Sequence, residues 1–416
     1  MAPRVYAALA GAFGVATLLA GCGGVDTKVA ARIPGKKLTI YAGVPLEGAS
    51  AVSGRAVVDG ARLALAQTHG RIGSYRVVFS ALNDATAAHG EWDPGQTSAN
   101  AVKAASDPTT VGYIGDVDSG ASAVSIPILN AAGIPQVSPR SSAVGLTASG
   151  PGASPGEPAK YYPTHLRTFV RVVPSDAIQA AAQVKLQLSQ GCTKTYVLDD
   201  SEVDGEDLAT SFGLAAQHSA LQVVGTQEFE PHLATYLPLA QSIAASGANC
   251  VFISAISGSN AVPVTEQIAR AVPRARIFVG AGVAQSNYVE PAQGGIPLAD
   301  DTRVMVTSPA LGARAYPSAA RAFFAAFSRQ YGPPQPDAIL GYESMRLLLS
   351  AIRAAMHGGQ RPARRSAVVQ ALFGTRDRHS VLGTYSIEHN GNTTLSAYGV
   401  WRVVGGRLRF WKAIDH

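Results

Sequence analysis

The sequence has few of the residues that build catalytic and metal centres. Its 416 residues include three cysteines, and none of its nine histidines lies three or four positions from another histidine. Residues at that spacing share one helix face, which is how a His-Glu-x-x-His motif holds zinc. That motif, a P-loop and a Cys-x-x-Cys pair are all missing. We therefore expect a protein that is not an enzyme and that holds no cofactor and no metal.

Charge is also sparse. Charged residues make up 15% of the chain and hydrophobic residues 47%, which is typical of a globular protein. The formal net charge of +6 permits a nucleic-acid partner, but the arginines are scattered. Their densest cluster, Arg361, Arg364 and Arg365, is short and lies beside a proline. A nucleic-acid-binding surface needs a larger basic patch, so we expect no nucleic-acid partner.

An export signal occupies the first residues of the chain. Residues 5–21 are apolar and uncharged, a run typical of a signal-peptide core and shorter than most membrane-spanning helices. The tetrad Leu19-Ala20-Gly21-Cys22 resembles the lipobox of bacterial lipoproteins, whose cysteine becomes the lipidated N-terminus. We expect residues 1–21 to be cleaved, Cys22 to anchor the protein to the membrane from outside, and residues 22–36 to be a tether. An ordinary secretory signal is the alternative.

Two cysteines remain besides Cys22. Cys192 and Cys250 each precede a strand-like run, at 195–198 and 251–253. Exported proteins meet an oxidising compartment, where such a pair favours one disulfide. If the two strands are neighbours in a sheet, the cysteines lie side by side. Two buried free thiols remain the alternative, because pairing cannot be deduced from sequence.

Short apolar strands alternate with longer helical stretches, and this pattern predicts parallel sheets covered by helices. The strands are predicted at 38–44, 75–81, 111–114 and 135–138, and then at 195–198, 222–226, 251–253, 277–279 and 304–307. A segment with four prolines, 148–163, separates the two sets. Asp176 and Gln179 resemble a helix capping box. A closing hairpin is predicted from 383–387 and 397–404, joined through the turn Asn390-Gly391.

Short motifs recur in a characteristic order along the chain. They are Pro45-Leu46-Glu47-Gly48, Asp59-Gly60-Ala61, Asn83-Asp84, Gly133-Ile134-Pro135, Arg171-Val172-Val173-Pro174 and Leu198-Asp199-Asp200-Ser201. Together they resemble the leucine/isoleucine/valine-binding proteins, the periplasmic binding proteins that serve ABC importers. The resemblance covers nearly the whole chain after the signal.

The resemblance implies a type I periplasmic binding protein fold, with two Rossmann-like α/β lobes joined by three crossovers. Lobe one would comprise 37–172 and 308–380, and lobe two 173–307 and 381–416. It further implies a monomer that traps a small-molecule ligand, such as a branched-chain amino acid, by hinge closure, with ABC permease subunits as membrane partners. A lipid-anchored sensor that reports to a membrane receptor is the alternative.

The resemblance also implies ligand-binding positions. Ser119 and Ser142 match residues that meet a ligand carboxylate, Ser141 lies in the same loop, and Arg140 matches a position whose carbonyl accepts from an ammonium group. An N-cap for Ser119 and a solvated loop charge for Arg140 are the alternatives.

Lobe two departs from the resemblance. The ammonium-binding glutamate of that family is replaced by Gly280-Ala281-Gly282-Val283. Asp204 matches a pocket position that is aromatic in the family, and either Ile256 or Ser257 matches another. Asp204 is the nearest acid for a cationic ligand group, although it is also a candidate helix N-cap. An unpaired buried ammonium is costly, so leucine itself is in doubt as the ligand.

Overall fold

The computed structural model describes residues 32–87, 90–231 and 233–415. The expected signal peptide, the lipidation site Cys22 and most of the expected tether lie outside the described residues. Within the described ranges, no helix combines the length and the apolar character that a membrane span requires.

Lobe one is built on a six-stranded sheet in the order β2-β3-β1-β4-β5-β6. Its strands are β1 (Lys37–Val44), β2 (Arg71–Ile72), β3 (Tyr75–Asn83), β4 (Thr110–Ile114), β5 (Gln136–Ser138) and β6 (Phe169–Arg171). All neighbouring pairs are parallel except β2 and β3. Parallel strands require crossover connections, and three of these contain a helix: α1 (Ala51–Ala66), α2 (Pro94–Ser106) and α3 (Ser119–Ala131). The connection from β5 to β6 contains only short 3-10 turns.

The core of lobe one is completed by a distant part of the chain. Helices α9 (Ala320–Tyr331), α10 (Ala338–Ala355) and α11 (Arg365–Phe373) supply apolar side chains to the same buried cluster as β1. Helix α10 lies directly against α1, where the missing side chains of Gly60 and Gly341 let the two backbones approach closely.

Lobe two contains a seven-stranded sheet in the order β15-β14-β11-β10-β9-β7-β8. Its strands are β7 (Lys194–Asp199), β8 (Gln222–Glu228), β9 (Cys250–Ser254), β10 (Arg276–Val279), β11 (Val304–Ser308), β14 (Tyr398–Val403) and β15 (Leu408–Ile414). The first five are parallel, and β14 and β15 are antiparallel additions at one edge. The helices are α4 (Asp176–Ser189), α5 (Val203–Gln217), α6 (Leu237–Ser246), α7 (Ala261–Ala271) and the short α8 (Ser286–Val289).

The chain passes between the lobes three times: after β6, after β11 and before β14. The predicted fold class, two α/β lobes with mostly parallel sheets, is therefore confirmed. The division of the chain near residue 380 differs from the prediction. Val381, Leu382, Tyr385 and Ile387 were assigned to lobe two, but they pack into the core cluster of lobe one. The other boundaries stay a prediction.

The predicted closing hairpin is wrong. β14 pairs with β15 on one side and with β11 on the other. The stretch before it forms only the small sheet of β12 (Arg378–His379) and β13 (Thr384–Tyr385), together with a bridge between Ile387 and Thr393. A turn does occur at Asn390-Gly391, where Gly391 has a φ of 98°, but it closes only this bridge.

Cys192 and Cys250 lie at the amino ends of β7 and β9, which are direct neighbours in the sheet. Thr195 is in register with Cys250. The two cysteines form a disulfide, with Cα atoms 5.8 Å apart. That separation lies in the ordinary range for a disulfide, so the cross-link joins two strands that the sheet already places together.

Candidate functional site

The carboxyl ends of the strands of both sheets face each other across a cleft. Open parallel sheets bind their ligands at this end of the strands. The cleft is closed around a cavity of about 20 Å³, which is roughly the space of one water molecule. The lining residues are Arg140 and Ser142 from lobe one and Asp176, Gln179, Asp204, Leu208, Ser254, Ala255, Gly280, Ala281 and Gly282 from lobe two.

Ser119 and Asp204 form the central contact between the lobes. The Ser119 amide donates to Asp204 Oδ2 at 2.7 Å, and its hydroxyl donates to Oδ1 at 2.6 Å. The backbone amides of Ser142 and Ala143 donate in turn to the Ser119 hydroxyl oxygen, both at 3.2 Å. Lobe one thus presents a set of donors suited to a carboxylate, and that carboxylate comes from lobe two of the same chain.

The N-cap interpretations of both residues are wrong. Helix α3 begins at Ser119 and its N-cap is Asp118, while α5 begins at Val203 with Glu202 as its N-cap. Ser119 and Asp204 are therefore inside the first turn of their helices, which leaves both side chains free to meet across the cleft. Burial raises the pKa of Asp204 to about 6, and Asp176 adds to the rise, while the Ser119 hydrogen bonds and Arg140 oppose it.

Arg140 is not the solvated loop charge of the alternative interpretation, because its side chain is only 5% exposed. Its guanidinium donates to Asp118 Oδ1 at 3.0 Å and, across the cleft, to the carbonyl of Ala281 at 3.1 Å. Asp337 lies 3.9 Å away. Burial alone would lower the pKa of Arg140, but Asp337 and Asp118 outweigh it and raise it. The charge of Arg140 is thus balanced by carboxylates of its own lobe.

The other candidate residues lie in two different places. Ser141 is inside lobe one, where its hydroxyl donates to the Asp116 carbonyl at 2.9 Å and its amide to Ser138 Oγ at 2.9 Å. It holds the loop and does not line the cavity. Ser257 in lobe two accepts from Gln285 Nε2 at 2.9 Å and also lies outside the cavity lining. Only Arg140, Ser142 and Asp204 of the six candidates line the cavity itself.

The loop that carries these residues is held by Arg171, which is completely buried. Its guanidinium donates to the Ala143 carbonyl at 2.7 Å, to Thr147 Oγ1 at 2.7 Å and to Asn392 Oδ1 at 2.9 Å. Asn392 belongs to the stretch that leads into the third crossover. Arg171 therefore fixes the binding loop to the region between the lobes.

Sequence reasoning missed the unsatisfied acceptors of the cavity. Asp176 and Gln179 do not form the predicted capping box, because the N-cap of α4 is Ser175 and it makes no side-chain cap hydrogen bond. The side-chain nitrogen Nε2 of Gln179 donates instead to Thr307 Oγ1 at 2.9 Å. Asp176 Oδ2, Gln179 Oε1 and Ser254 Oγ have no hydrogen-bond partner in the described part of the chain, although all three side chains are buried. Burial raises the pKa of Asp176 to about 6. Their position at strand and helix ends was the only available sequence signal.

Further contacts join the lobes around the cavity. The amide of Gly258 donates to Glu91 Oε2 at 3.0 Å, that of Val144 to Asp207 Oδ2 at 2.8 Å, and Asn287 Nδ2 to the Ala49 carbonyl at 2.7 Å. Among the described residues, no group of three or more His, Cys, Asp or Glu is arranged to hold a metal ion. The arrangement can therefore enclose a small molecule and hold it by hydrogen bonds and charge.

Two α/β lobes, three crossovers and a cleft that both lobes close define a two-lobed solute-binding protein. The sequence matches the profile of the periplasmic binding protein family over residues 39–407. That match spans most of the chain, and the protein belongs to this family.

Solved structures agree on the fold. A leucine-binding protein from Thermotoga maritima is 20% identical, with a TM-score of 0.75 over 91% of this chain and 99% of the other. A solute-binding protein of an ABC transporter from R. palustris, in complex with benzoate, is 19% identical with a TM-score of 0.73 over 91% and 98%. The substrate-binding protein of a branched-chain amino acid transporter from Streptococcus pneumoniae, in complex with isoleucine, is 17% identical with a TM-score of 0.74 over 92% and 100%. No curated protein sequence matches the chain.

Proposed function

We propose that this protein is the extracytoplasmic solute-binding component of an ABC importer, that Cys22 anchors it to the membrane by lipid, and that it captures a small polar solute, an amino acid or a related compound, by closing its lobes. The observation that carries the proposal is the set of hydrogen bonds between the lobes around a small cavity that both lobes line. A closure of this kind sequesters a solute without reacting with it.

The similar structures support this class of solute. Their ligands include isoleucine and benzoate, both small molecules with a carboxylate. In this chain the donors of Ser119 also hold a carboxylate, and it is the side chain of Asp204. In the open protein these donors and the buried acceptors of lobe two would face solvent. A solute that contacts both lobes would favour the closed arrangement because only that arrangement satisfies both sets.

The proposal is tested by measuring closure and binding together. A panel of amino acids, amines and small carboxylic acids is titrated by calorimetry, and each binder is examined by solution scattering. The expected result is saturable binding, a smaller radius of gyration on binding, and unchanged solute afterwards. Chemical conversion of the solute would contradict the proposal.

Variants locate the binding site. Replacement of both Ser119 and Ser142 by alanine removes the Ser119 hydroxyl from the central contact and the Ser142 hydroxyl from the cavity lining, and we expect binding to weaken by about tenfold or more. The matched control replaces Ser242 and Ser328, exposed serines on α6 and α9, and should leave the affinity unchanged. Equal affinity of wild type and the Ser119→Ala/Ser142→Ala variant would move the site elsewhere.

A further inference from the structure

Most hydrogen-bond donors of lobe one at the cleft already have partners within the protein, whereas several buried acceptors of lobe two have none among the described residues. We infer that the solute is a small protonated amine without a carboxylate, because Asp204 supplies from the protein the carboxylate that the donors of lobe one bind. This inference rests on the proposed function and specifies its substrate class.

Most donors on the lobe-one side of the cleft are already filled. Both donors of Ser119 bind Asp204, and the neighbouring amides of Ser142 and Ala143 bind the Ser119 hydroxyl oxygen. The two terminal nitrogens of Arg140 donate to Asp118 and to the Ala281 carbonyl, and its Nε is the one donor of this residue without a partner among the residues described. A solute carboxylate would have to displace Asp204 from Ser119, and a displaced carboxylate that stays buried without a partner is costly.

The acceptor side is open. Asp176 Oδ2, Gln179 Oε1 and Ser254 Oγ are buried side-chain oxygens of cavity-lining residues and have no hydrogen-bond partner among the residues described. Each oxygen of Asp204 accepts one hydrogen bond from Ser119, and a carboxylate oxygen can accept a second. A group that fills this space must therefore donate hydrogen bonds, and an ammonium group donates three.

The balance of charge favours the same group. Arg140 is matched by Asp118 and Asp337. Asp204 and Asp176 line the same cavity, and repulsion from Asp176 raises the pKa of Asp204 and of Asp207 beyond the effect of burial, although Asp207 also shares a hydrogen bond with Asp176. The charge of Arg171 opposes the rise in the pKa of Asp176 and of Asp207, but its hydrogen bonds go to the binding loop and to Asn392. A cationic solute would offset this excess of negative charge.

Size limits the solute to a compact head group. The cavity of about 20 Å³ holds about one water molecule, and an ammonium group is of similar size. Leu208, Ala255 and Ala281 provide apolar surface in the same lining. A short alkyl chain would lie against them, with the lobes closed slightly less than they are here.

The experiment compares amines with the amino acids that carry the same side chain. Wild-type protein is titrated by calorimetry at neutral pH with methylamine and glycine, ethylamine and alanine, and isopentylamine and leucine. We expect the amine to bind about tenfold or more tightly in at least one pair, and isopentanol, which lacks the charge, to bind about tenfold or more weakly than isopentylamine.

One substitution tests the role of Asp204. Asp204→Asn keeps the shape of the side chain and removes its charge, so amine binding should weaken by about tenfold or more and the preference for amine over amino acid should fall. The control is Asp300→Asn, because Asp300 lies outside the cleft and contacts Arg303. Circular dichroism and thermal unfolding verify that each variant is folded, and the comparison with isopentanol needs no variant.

The outcomes separate the two proposals. Amino acids that bind as tightly as their amines in every pair, or amine binding that Asp204→Asn leaves unchanged, would overturn the inference while solute capture stands. Failure of every compound in the full panel to bind would overturn the proposed function and this inference with it.

Discussion

Glu91 of lobe one and the amide of Gly258 of lobe two meet across the cleft at 3.0 Å, and the Glu91 side chain that makes this contact is buried. A side chain at position 258 would collide with the Glu91 carboxyl. Burial is the main cause that raises the pKa of Glu91 to about 9, and the nearby carboxyls of Asp118, Glu202 and Asp200 raise it further. Glu91 therefore helps to close the cleft while it is protonated, and its ionisation opposes closure.

We expect the ligand-free lobes to open as the pH rises. In open lobes Glu91 would meet solvent and titrate near its ordinary pKa of about 4, whereas in the closed form its pKa is about 9. A raised pKa in the closed form contributes stability at pH below the ordinary value, and this contribution is lost as the pH rises toward 9. The loss is about 1.4 kcal/mol per pH unit for each such group. Solution scattering should show a radius of gyration that increases over this interval.

The variant Glu91→Gln keeps an acceptor for the Gly258 amide and cannot ionise, so its lobes should stay closed to higher pH than those of wild type. Glu202, whose pKa burial raises to about 7, will still titrate in this variant. A radius of gyration that falls with rising pH, or the same pH profile in both proteins, would contradict this expectation.

Arg171→Lys should destabilise the protein. An ammonium group cannot reproduce the planar guanidinium that binds the Ala143 carbonyl, Thr147 and Asn392 together. Buried acceptors left without a donor should lower the free energy of unfolding by about 3 kcal/mol, measured by denaturant titration. Arg62→Lys is the control, because the Arg62 side chain is 57% exposed, and it should change stability by less than about 0.5 kcal/mol. Equal effects of the two substitutions would refute the role given to Arg171.

The cross-link between Cys192 and Cys250 should be present in protein isolated from an oxidising compartment. Thiol reagents should not label either cysteine after unfolding without a reductant. The cross-link spans 58 residues, so replacing both cysteines by serine should lower the free energy of unfolding by about 4 kcal/mol in the chain-entropy description. Two labelled thiols in the oxidised, unfolded protein would show that the pair is free.

The lipid anchor is tested on protein isolated from native membranes. We expect intact-mass analysis to find a chain that begins at Cys22 and carries acyl groups, because the Leu-Ala-Gly-Cys tetrad follows a short apolar run. Cys22→Ser should release the protein from the membrane fraction, since anchoring by lipid needs the thiol. An unlipidated chain that begins at another residue would support the ordinary secretory signal instead.

Much of the fold could be predicted because its signals are local. The pattern of apolar residues placed β1 within one residue of its observed start and β11 at its observed start. The strand predicted at 397–404 is β14 (Tyr398–Val403), but the pairing of the closing strands could not be predicted in the same way. Their pairing with β11 joins distant parts of the chain, and β15 carries Arg409 and Lys412 among its apolar residues, which obscures its strand character.

The site was less accessible to sequence reasoning. The sequence indicated that Ser119 follows a strand, and this places it at the cleft. The burial of Arg140 depends on Asp118 and on Asp337 from a remote segment, and the contact between Ser119 and Asp204 joins residues 85 positions apart. Such contacts form only when distant parts of the chain come together, so no local sequence pattern predicts them.

Each lobe contains segments from two distant parts of the chain, and this affects when the lobes can fold during synthesis. A ribosome delivers the chain in order, and an N-terminal domain ordinarily folds first. Lobe one cannot complete its core before α10 has emerged to pack on α1, and lobe two lacks an edge of its sheet until β14 and β15 follow. Both lobes therefore become able to fold only in the last part of translation, and their many long-range contacts favour slow folding. The earlier part of the chain therefore has no finished core while it is being synthesised.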